Sequence, residues 1–389
     1  STFDKNEYSK SKDYEFVKVS EDFVPYNMQE LINIFYTVLD AGYETFAYHN
    51  YYGEYYRRAL SWPNLGYEDT KFSDEMKLSV IWPASDLEMM EQSVDDYIED
   101  DRFHAYYMTF SGHGPYNGSN RMVNKNIAEV KELLGEDAEK YNAEALNYFA
   151  CNLELEKAMK YLIERLDEAG KLDNTVIILT GDHYPYYLSA QGRESLVGEE
   201  ISELEQYHST CIIYNSAIEE PIINDNYCCN VDIVPTVLNL FNLPHDSRLS
   251  AGTDVFSDSM HTAVLYNKSF LNEKVEYNSS SKETDWKIDT DFYCDEILDA
   301  YLNSYMELND AQYLMSINII KYNFYFSLWQ DAGLLTDEEI AAEKERSAKV
   351  QATNAQQNAI EAEAQRIREE EKAAAEAEAA AAAEAEGQN

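Results

Sequence analysis

The chain has 389 residues, 45% of them hydrophobic, which is enough for one large core or two smaller ones. Its net charge of −43 argues against a nucleic-acid partner, since phosphate backbones need Lys and Arg to replace their counterions. No apolar run approaches the roughly 18 residues that a membrane-spanning helix requires.

Apolar spacing predicts that strands and helices alternate along residues 1–285. In chain order we expect a helix over 29–41, a strand over 43–48, an acidic helix over 85–99, a strand over 104–110, a long helix over 141–166, strands over 176–179 and 211–214, a helix over 231–241 and an edge strand over 262–266. Such alternation is typical of a three-layer α/β/α domain with a mainly parallel sheet.

The C-terminal quarter differs in composition. Residues 286–335 are rich in tyrosine and predict a helical subdomain that packs on the body. Residues 336–389 are mostly Ala, Glu, Gln, Lys and Arg, without an apolar stripe wide enough to bury. We interpret them as a solvated helix or a disordered tail, with a coiled coil as the alternative.

Polar side chains follow three of the predicted strands. His49 follows the first strand, His113 lies in the glycine-rich loop after the second, and Asp182 and His183 follow the run over 176–179. Because parallel strands bring their carboxyl ends to one edge of a sheet, we expect these side chains to meet there. A carboxylate oxygen beside an imidazole nitrogen is a donor pair for Zn²⁺ or Mn²⁺. For any one histidine, an exposed loop position is the alternative.

A cationic and aromatic cluster, Tyr55 to Arg58, lies close to His49 in this otherwise acidic chain. An arginine of this cluster could hold a phosphate through two parallel hydrogen bonds, and a tyrosine could line a glycerol or sugar face. An ordinary surface arginine is the alternative. The five cysteines form no CxxC pair, and we expect them to be mostly buried.

Several catalytic signatures are missing from the sequence. It contains no GxSxG elbow, no Walker loop and no dinucleotide fingerprint. It also lacks the Cys-x-Pro-x-Arg motif that formylglycine sulfatases need for their nucleophile.

Seven stretches within residues 1–280 carry a family resemblance. They are GYETFAYH (42–49), YYRR (55–58), NLGYED (64–69), MTFSGHGPY (108–116), DNTVIILTGDHYPY (173–186), VDIVPTVLNLF (231–241) and DSRLSAGTDVFS (246–257). Together they resemble the extracellular catalytic domain of the lipoteichoic acid synthase family. These enzymes are phosphoglycerol transferases within the alkaline phosphatase/sulfatase superfamily. The resemblance implies a sulfatase-like α/β fold and does not extend to the tail from about 336.

The resemblance also implies a site. Thr2 would be the nucleophile and, with Asp182 and His183, a ligand of one divalent metal, Mn²⁺ first, with Mg²⁺ or Zn²⁺ as alternatives. His113 would contact the substrate and could protonate the leaving alcohol. The substrate would also meet three further side chains, which are His49, Tyr56 and Arg58. The family's metal-binding Glu lies before the nucleophile, so this chain, which begins at Ser1, would lack it, bind metal weakly and have little activity.

The resemblance implies transfer of a glycerol-phosphate group from an anionic phospholipid to an acceptor polymer or other alcohol. This reaction would occur on the outer face of a bacterial cytoplasmic membrane, with an N-terminal anchor outside the present sequence. A phosphodiesterase or sulfatase-like hydrolase of the same superfamily is one rival hypothesis. A non-catalytic module that binds a cell-envelope polymer is the other.

Overall fold

The computed structural model describes residues 41–79, 82–243 and 250–322, and isolated positions between 330 and 366. Described residues up to 318 belong to one compact unit. The predicted helix over 29–41 lies almost entirely outside the described residues, as do Thr2 and most of the tail from 336. The predicted domain limits at 285 and 335 therefore stay predictions.

Three parallel strands form the sheet that carries the first two predicted site loops. They are β1 (Glu44–His49), β2 (Asp69–Lys71) and β3 (Phe103–Met108), in the order β2-β1-β3. Strand β1 pairs along its whole length with β3, from Glu44 opposite Phe103 to His49 opposite Met108. Both strands therefore deliver their carboxyl ends to the same edge of the sheet.

Strand β1 is buried on both faces, which makes this part of the molecule three-layered. Phe46 and Tyr48 pack into a core with Met89, Tyr97 and Leu166. Ala47 faces the opposite way, into a second cluster formed with Trp62, Tyr67 and Phe72. The alternating run YETFAY predicted a strand here, and the structure adds that both of its faces are buried.

Helices cover the sheet, and no helix among the described residues has both the length and the hydropathy to cross a membrane. They are α1 (Arg58–Asn64), α2 (Asp86–Glu91), α3 (Arg121–Leu134), α4 (Ala143–Glu168), α5 (Ala190–Val197), α6 (Ile233–Leu240) and α7 (Asp295–Tyr322). Helix α2 begins at the cap Ser85 but is shorter than predicted. The Ser93 hydroxyl donates to the Met89 carbonyl at 2.7 Å and so competes with the helical backbone bonds after Glu91.

The strand that leads to Asp182 pairs with its neighbour in an antiparallel ladder. Strand β4 (Ile177–Thr180) lies against β5 (Cys211–Tyr214), with Thr180 opposite Cys211. We expected a parallel neighbour here. The side chain of Ile212 is 51% exposed, and an antiparallel strand tolerates such a solvated face whereas parallel sheets are usually buried on both sides.

Strands β4 and β5 form a two-stranded sheet of their own, and a third sheet among the described residues, four-stranded and antiparallel, follows and is covered by the last described helix. Its four strands, in spatial order, are β6 (Thr262–Val264), β7 (Phe270–Asn272), β8 (Val275–Tyr277) and β9 (Thr284–Trp286). Tyr301 and Tyr305 of α7 pack on Phe270 and Val275 of this sheet. The predicted edge strand and C-terminal helix are therefore present. The expectation of mostly buried cysteines is wrong, since Cys211, Cys228 and Cys294 are exposed and only Cys151 is buried.

Candidate functional site

Asp182 and His183 lie just beyond β4, in a turn that exposes both side chains. His183 Nδ1 lies 2.8 Å from the carbonyl oxygen of Tyr184. Because a carbonyl oxygen can only accept, this ring nitrogen carries the proton and Nε2 is left to face a ligand. The Nε2 atom lies 3.5 Å from Asp182 Oδ1.

This pair fits a divalent cation. In the neutral imidazole, Nε2 and the carboxylate oxygen both present lone pairs to one region, and the Nδ1–H bond to a backbone carbonyl is the usual support of a metal-bound histidine. Within the described part of the chain, no cluster of three or more His, Cys, Asp or Glu side chains could hold a metal. The described residues thus offer two ligands, and the predicted third, Thr2, lies outside them.

Arg58 is held in one orientation by the end of strand β1. Its guanidinium donates to His49 Nε2 at 3.2 Å, and His49 Nδ1 donates to the Met108 carbonyl at 2.9 Å. The Arg58 guanidinium also lies over the rings of Tyr55 and Tyr56, at 5.5 and 5.2 Å from their centroids. Cation–π contacts and a fixed acceptor preorganise this cation for binding an anion.

His49 is neutral because of where it lies. Its side chain is only 2% exposed. The pKa of His49 is lowered to about 4, mainly by burial and to a smaller extent by the positive charge of Arg58, while the bond to Met108 opposes both effects. A neutral imidazole can accept from Arg58, so His49 orients the guanidinium from beneath.

His113 lies in the loop after β3 with the same tautomer. Its Nδ1 donates to the Gly114 carbonyl at 2.8 Å, which leaves Nε2 for a ligand. Its ring contacts those of Trp82, Phe110 and Tyr187, with centroid distances of 5.0, 5.0 and 5.2 Å. A half-buried imidazole fixed on three sides is suited to contact a bound group.

Aromatic rings that are exposed, apart from the half-buried Tyr51, lie around these polar groups, and we call them the aromatic collar. It consists of Tyr51, Tyr55, Tyr56, Trp82, Tyr186 and Tyr187. Ring contacts run from Tyr56 through Tyr55 and Tyr51 to Trp82, then through His113 to Tyr187 and Tyr186.

The two ends of the collar influence each other electrostatically. Burial raises the pKa of Tyr186 most, the field of Tyr187 raises it next, and the field of Tyr56 raises it further. The ring of Tyr186 also lies 4.7 Å from that of His183. The collar therefore joins the β1 loop, the β3 loop and the β4 loop around one centre.

Charged groups of opposite sign lie inside the collar. Burial lowers the pKa of Arg58, whereas the fields of Tyr106, Tyr55 and Asp182 raise it. Asp182 also raises the pKa of Tyr106, after the effects of burial and of Arg58. A guanidinium and a metal-type donor pair thus share one enclosure in a chain of net charge −43, which supplies the local cation that an anionic ligand needs.

Two backbone features shape the collar. Tyr56 and Arg57 have φ angles of 54° and 53°, a left-handed conformation that non-glycine residues adopt at a cost of about 1–3 kcal/mol each. A Cβ atom on Gly114 would lie 2.5 Å from Cβ and Cγ of Tyr187, so only glycine allows these two loops to approach so closely.

Six predicted site residues lie in or under the collar, which are His49, Tyr56, Arg58, His113, Asp182 and His183, while Thr2 lies outside the described residues. Sequence reasoning did not single out Trp82, Tyr186 and Tyr187. The YPYY segment directly after Asp182-His183 was a usable signal, because aromatic residues in an exposed loop at a strand end often contact ligands.

Comparisons with known proteins agree with this geometry. The model of the sulfatase family matches residues 5–243. Lipoteichoic acid synthase 1 of Bacillus subtilis (strain 168) is 24% identical over 253 residues, which cover 60% of this chain and 36% of that protein. Lipoteichoic acid synthase of Staphylococcus aureus (strain USA300) is 26% identical over 179 residues, 45% of this chain and 26% of that protein.

A solved structure shows the same fold. The lipoteichoic acid synthase LtaP from Listeria monocytogenes superposes with a TM-score of 0.56 at 15% identity, covering 76% of this chain and 78% of that one. The resemblance to lipoteichoic acid synthases and the α/β fold with a parallel sheet are thereby confirmed. The chain spans only about a third of the length of the B. subtilis relative and a quarter of the S. aureus one.

Proposed function

Because the chain belongs to the sulfatase family, we propose that it is a metal-dependent phosphoglycerol transferase that moves a glycerol-phosphate-type group from an anionic lipid to an acceptor alcohol. The observation that carries this proposal is the placement of Arg58, Asp182 and His183 beside the rings of the aromatic collar, where Arg58 and Asp182 interact electrostatically and the His183 ring contacts that of Tyr186. A phosphate ester has a charged centre and an uncharged polyol, and the enclosure offers a partner for each. The similarity to lipoteichoic acid synthases supports the choice of glycerol phosphate.

Asp182 and His183 would hold one divalent metal, with Thr2 as a further ligand. Mn²⁺ is our first choice, with Mg²⁺ or Zn²⁺ as alternatives, and the superfamily typically uses a divalent metal. When bound, such an ion supplies Lewis acidity toward phosphoryl oxygens and lowers the pKa of a coordinated hydroxyl. With two ligands among the described residues, we expect its affinity to be weak.

Arg58 would bind the phosphoryl group. Its fork of N–H donors matches two phosphate oxygens, and His49 and the Tyr55 and Tyr56 rings hold it still before a ligand arrives. Because little reorganisation is then needed, the guanidinium can stabilise charge that develops on the transferring group.

The reaction has two displacements. In the first, the Thr2 hydroxyl oxygen forms a bond to phosphorus as the bond from phosphorus to the diacylglycerol oxygen breaks. His113 Nε2, which carries no proton while Nδ1–H donates to the Gly114 carbonyl, would take the proton that the Thr2 hydroxyl loses and give it to the departing alcohol oxygen. In the second, the acceptor hydroxyl oxygen forms the new bond to phosphorus as the bond from phosphorus to the Thr2 oxygen breaks, and the acceptor proton passes through His113 Nε2 to the Thr2 oxygen.

We further propose that this reaction occurs on the outer face of a bacterial cytoplasmic membrane, with anionic phospholipid as donor and a polymer end or another alcohol as acceptor. The collar supports a polyol substrate, because tyrosine rings cover the C–H faces of glycerol while their hydroxyls bond its oxygens. No nucleic acid is expected, given the net charge of −43.

Product analysis tests the proposal. The chain, extended at its N-terminus to include the strand that would carry the family's metal-binding Glu, is incubated with a fluorescent phosphatidylglycerol analogue and Mn²⁺, with and without glycerol as acceptor, and the products are separated by mass. We expect release of the fluorescent diacylglycerol together with a glycerol-phosphate-glycerol product that appears only with acceptor, and loss of both in Thr2→Ala.

Two other outcomes point elsewhere. Free glycerol phosphate in equal amounts with and without acceptor would identify a hydrolase of the same superfamily. Saturable binding of the analogue with no turnover at any Mn²⁺ concentration would identify a non-catalytic binding module. Undiminished turnover in Thr2→Ala would overturn the nucleophile assignment alone.

A further inference from the structure

Asp86 is a fully buried carboxylate beneath the candidate site that no step above uses. Its side chain is 0% exposed and accepts four hydrogen bonds. The donors are Asn50 Nδ2 at 2.8 Å, the Phe110 backbone N–H at 2.7 Å, the Ser111 backbone N–H at 3.1 Å and the Ser111 hydroxyl. Oδ1 accepts three of these bonds and Oδ2 accepts the one from the Ser111 hydroxyl. Burial raises the pKa of Asp86, and the four donors oppose that effect by stabilising the charged form.

These donors belong to the two loops that carry the site histidines. Asn50 directly follows His49 at the end of β1, and Phe110 and Ser111 begin the loop that leads to His113. The backbone N–H of His113 donates to the Phe110 carbonyl at 3.0 Å. The turn that places His113 therefore begins at Phe110, whose own N–H donates to Asp86.

The Phe110 ring continues the connection. Its centroid lies 5.8 Å from that of His49 and 5.0 Å from that of His113. The Asp86 carboxylate thus fixes the separation of His49 from His113. It binds Asn50 in the loop after β1, and Phe110 and Ser111 in the loop after β3. Arg58 takes its orientation from His49, so this separation also sets the distance from the guanidinium to His113.

Secondary structure alone does not require this carboxylate. Helix α2 is already capped by Ser85, whose hydroxyl accepts from the Glu88 N–H at 3.1 Å. Strands β1 and β3 are paired along their full length without it. Burying a charge is costly, by several kcal/mol per ion. The side chains of a functional site need neighbouring groups that hold their positions to within about 0.5 Å. Such a supporting role accounts for a buried carboxylate beneath these two loops.

We propose that Asp86 is a positioning residue that sets the spacing between two parts of the site. One part, the Arg58–His49 arm, is the end of β1 with the guanidinium that His49 orients, and the other, the His113 arm, is the loop after β3. This inference rests on the proposed function for its effect on turnover, but the spacing itself can be measured without turnover. Asp86→Asn keeps the shape of the side chain and replaces one acceptor oxygen by a donor, which faces N–H or O–H donors whichever way the amide turns.

Glu154 provides a matched control. It is also a 0% exposed carboxylate, and it accepts from Lys125 at 2.7 Å, from Asn126 at 3.0 Å and from the Ser85 hydroxyl. None of these donors lies in the β1 or β3 loop. Glu154→Gln should therefore destabilise the fold to a similar extent without changing the spacing of the two arms.

The test uses the complete chain with ¹³C-labelled histidine, whose ring signals are assigned through His49→Gln and His113→Gln. We expect Asp86→Asn to shift the signals of both His49 and His113, and Glu154→Gln to shift neither. With Mn²⁺ and a soluble phosphodiester, we expect Asp86→Asn to lower kcat roughly tenfold to a hundredfold with little change in KM.

Two milder variants separate the arms and remain informative if Asp86→Asn does not fold. Asn50→Ala should shift the His49 signal alone, and Ser111→Ala the His113 signal alone. Unchanged signals in all three variants, or equal shifts in Glu154→Gln, would overturn the inference. If the chain extended at its N-terminus to include the family's metal-binding Glu shows no turnover, the proposed function fails, while the histidine signals still decide the role of Asp86.

Discussion

Replacing His49 by Gln should flatten the dependence of folding stability on pH. A glutamine at this position can accept from Arg58 and donate to the Met108 carbonyl as the imidazole does, but it does not titrate. The pKa of His49 is about 4 in the folded chain, mainly because of burial, against an ordinary value of 6.5. Since the folded state resists protonation, His49 contributes stability above pH 6.5 that is lost as the pH falls toward 4.

The magnitude follows from those two values. The difference between the pKa values of His49 in the unfolded and folded chain corresponds to about 3 kcal/mol of unfolding free energy. About 2 kcal/mol of this is lost between roughly pH 7.5 and pH 5. His104 is also buried, with its pKa lowered to about 4 by the same cause, and should contribute a similar amount. His104→Gln is therefore a matched variant that should change the same slope while leaving Arg58 untouched.

Urea unfolding followed by circular dichroism at a series of pH values measures this slope. Between roughly pH 7.5 and pH 5, the unfolding free energy of the unaltered chain should fall by about 2 kcal/mol more than that of His49→Gln, and by about 2 kcal/mol more than that of His104→Gln. Phosphate affinity, measured by calorimetry, should fall only in variants that disturb Arg58. An unchanged slope in His49→Gln would show that His49 is not a buried neutral acceptor, and the account of how Arg58 is held would fail with it.

Three further substitutions test other parts of the structure. Arg58→Lys should weaken inorganic phosphate binding about tenfold in calorimetry, because one ammonium cannot replace the bidentate fork; an unchanged affinity would remove Arg58 from the site. Gly114→Ala should lower turnover of a soluble phosphodiester but leave Mn²⁺ binding intact, because the new Cβ displaces Tyr187; normal kinetics would show that the collar is not a fixed wall. Leu166→Ala should cost about 2–5 kcal/mol of unfolding free energy, since the side chain is 1% exposed in the main core, without altering phosphate affinity; a smaller loss would contradict the packing around β1.

The sequence predicted the elements whose residues have a clear period. Strand β1, with apolar residues on both faces, and the 26-residue helix α4 were both expected from spacing. Strands β7 to β9 have only three residues each, too few for a period of two to be recognised. The direction of β5 was also beyond reach, because CIIY reads the same whether its neighbour is parallel or antiparallel.

For the site, the residue types could be predicted from the sequence but not the way they are joined. The positions of His49 and His113 were predicted because parallel pairing of β1 and β3 brings both carboxyl ends to one edge, whereas Asp182 follows a strand of the separate β4-β5 sheet. The role of His49 beneath Arg58 depends on burial and on its tautomer, which three-dimensional packing decides. The place of Asp86 under both loops likewise arises from contacts between residues 24 and 36 positions apart in the chain.

The most direct test of the central claim, that the collar encloses a metal-dependent phosphate-ester site, is a crystal structure with Mn²⁺ and glycerol phosphate. The account predicts an anomalous Mn²⁺ peak at coordination distance from Asp182 and His183 and a phosphate against the Arg58 guanidinium. A metal bound elsewhere, with phosphate absent from Arg58, would contradict it.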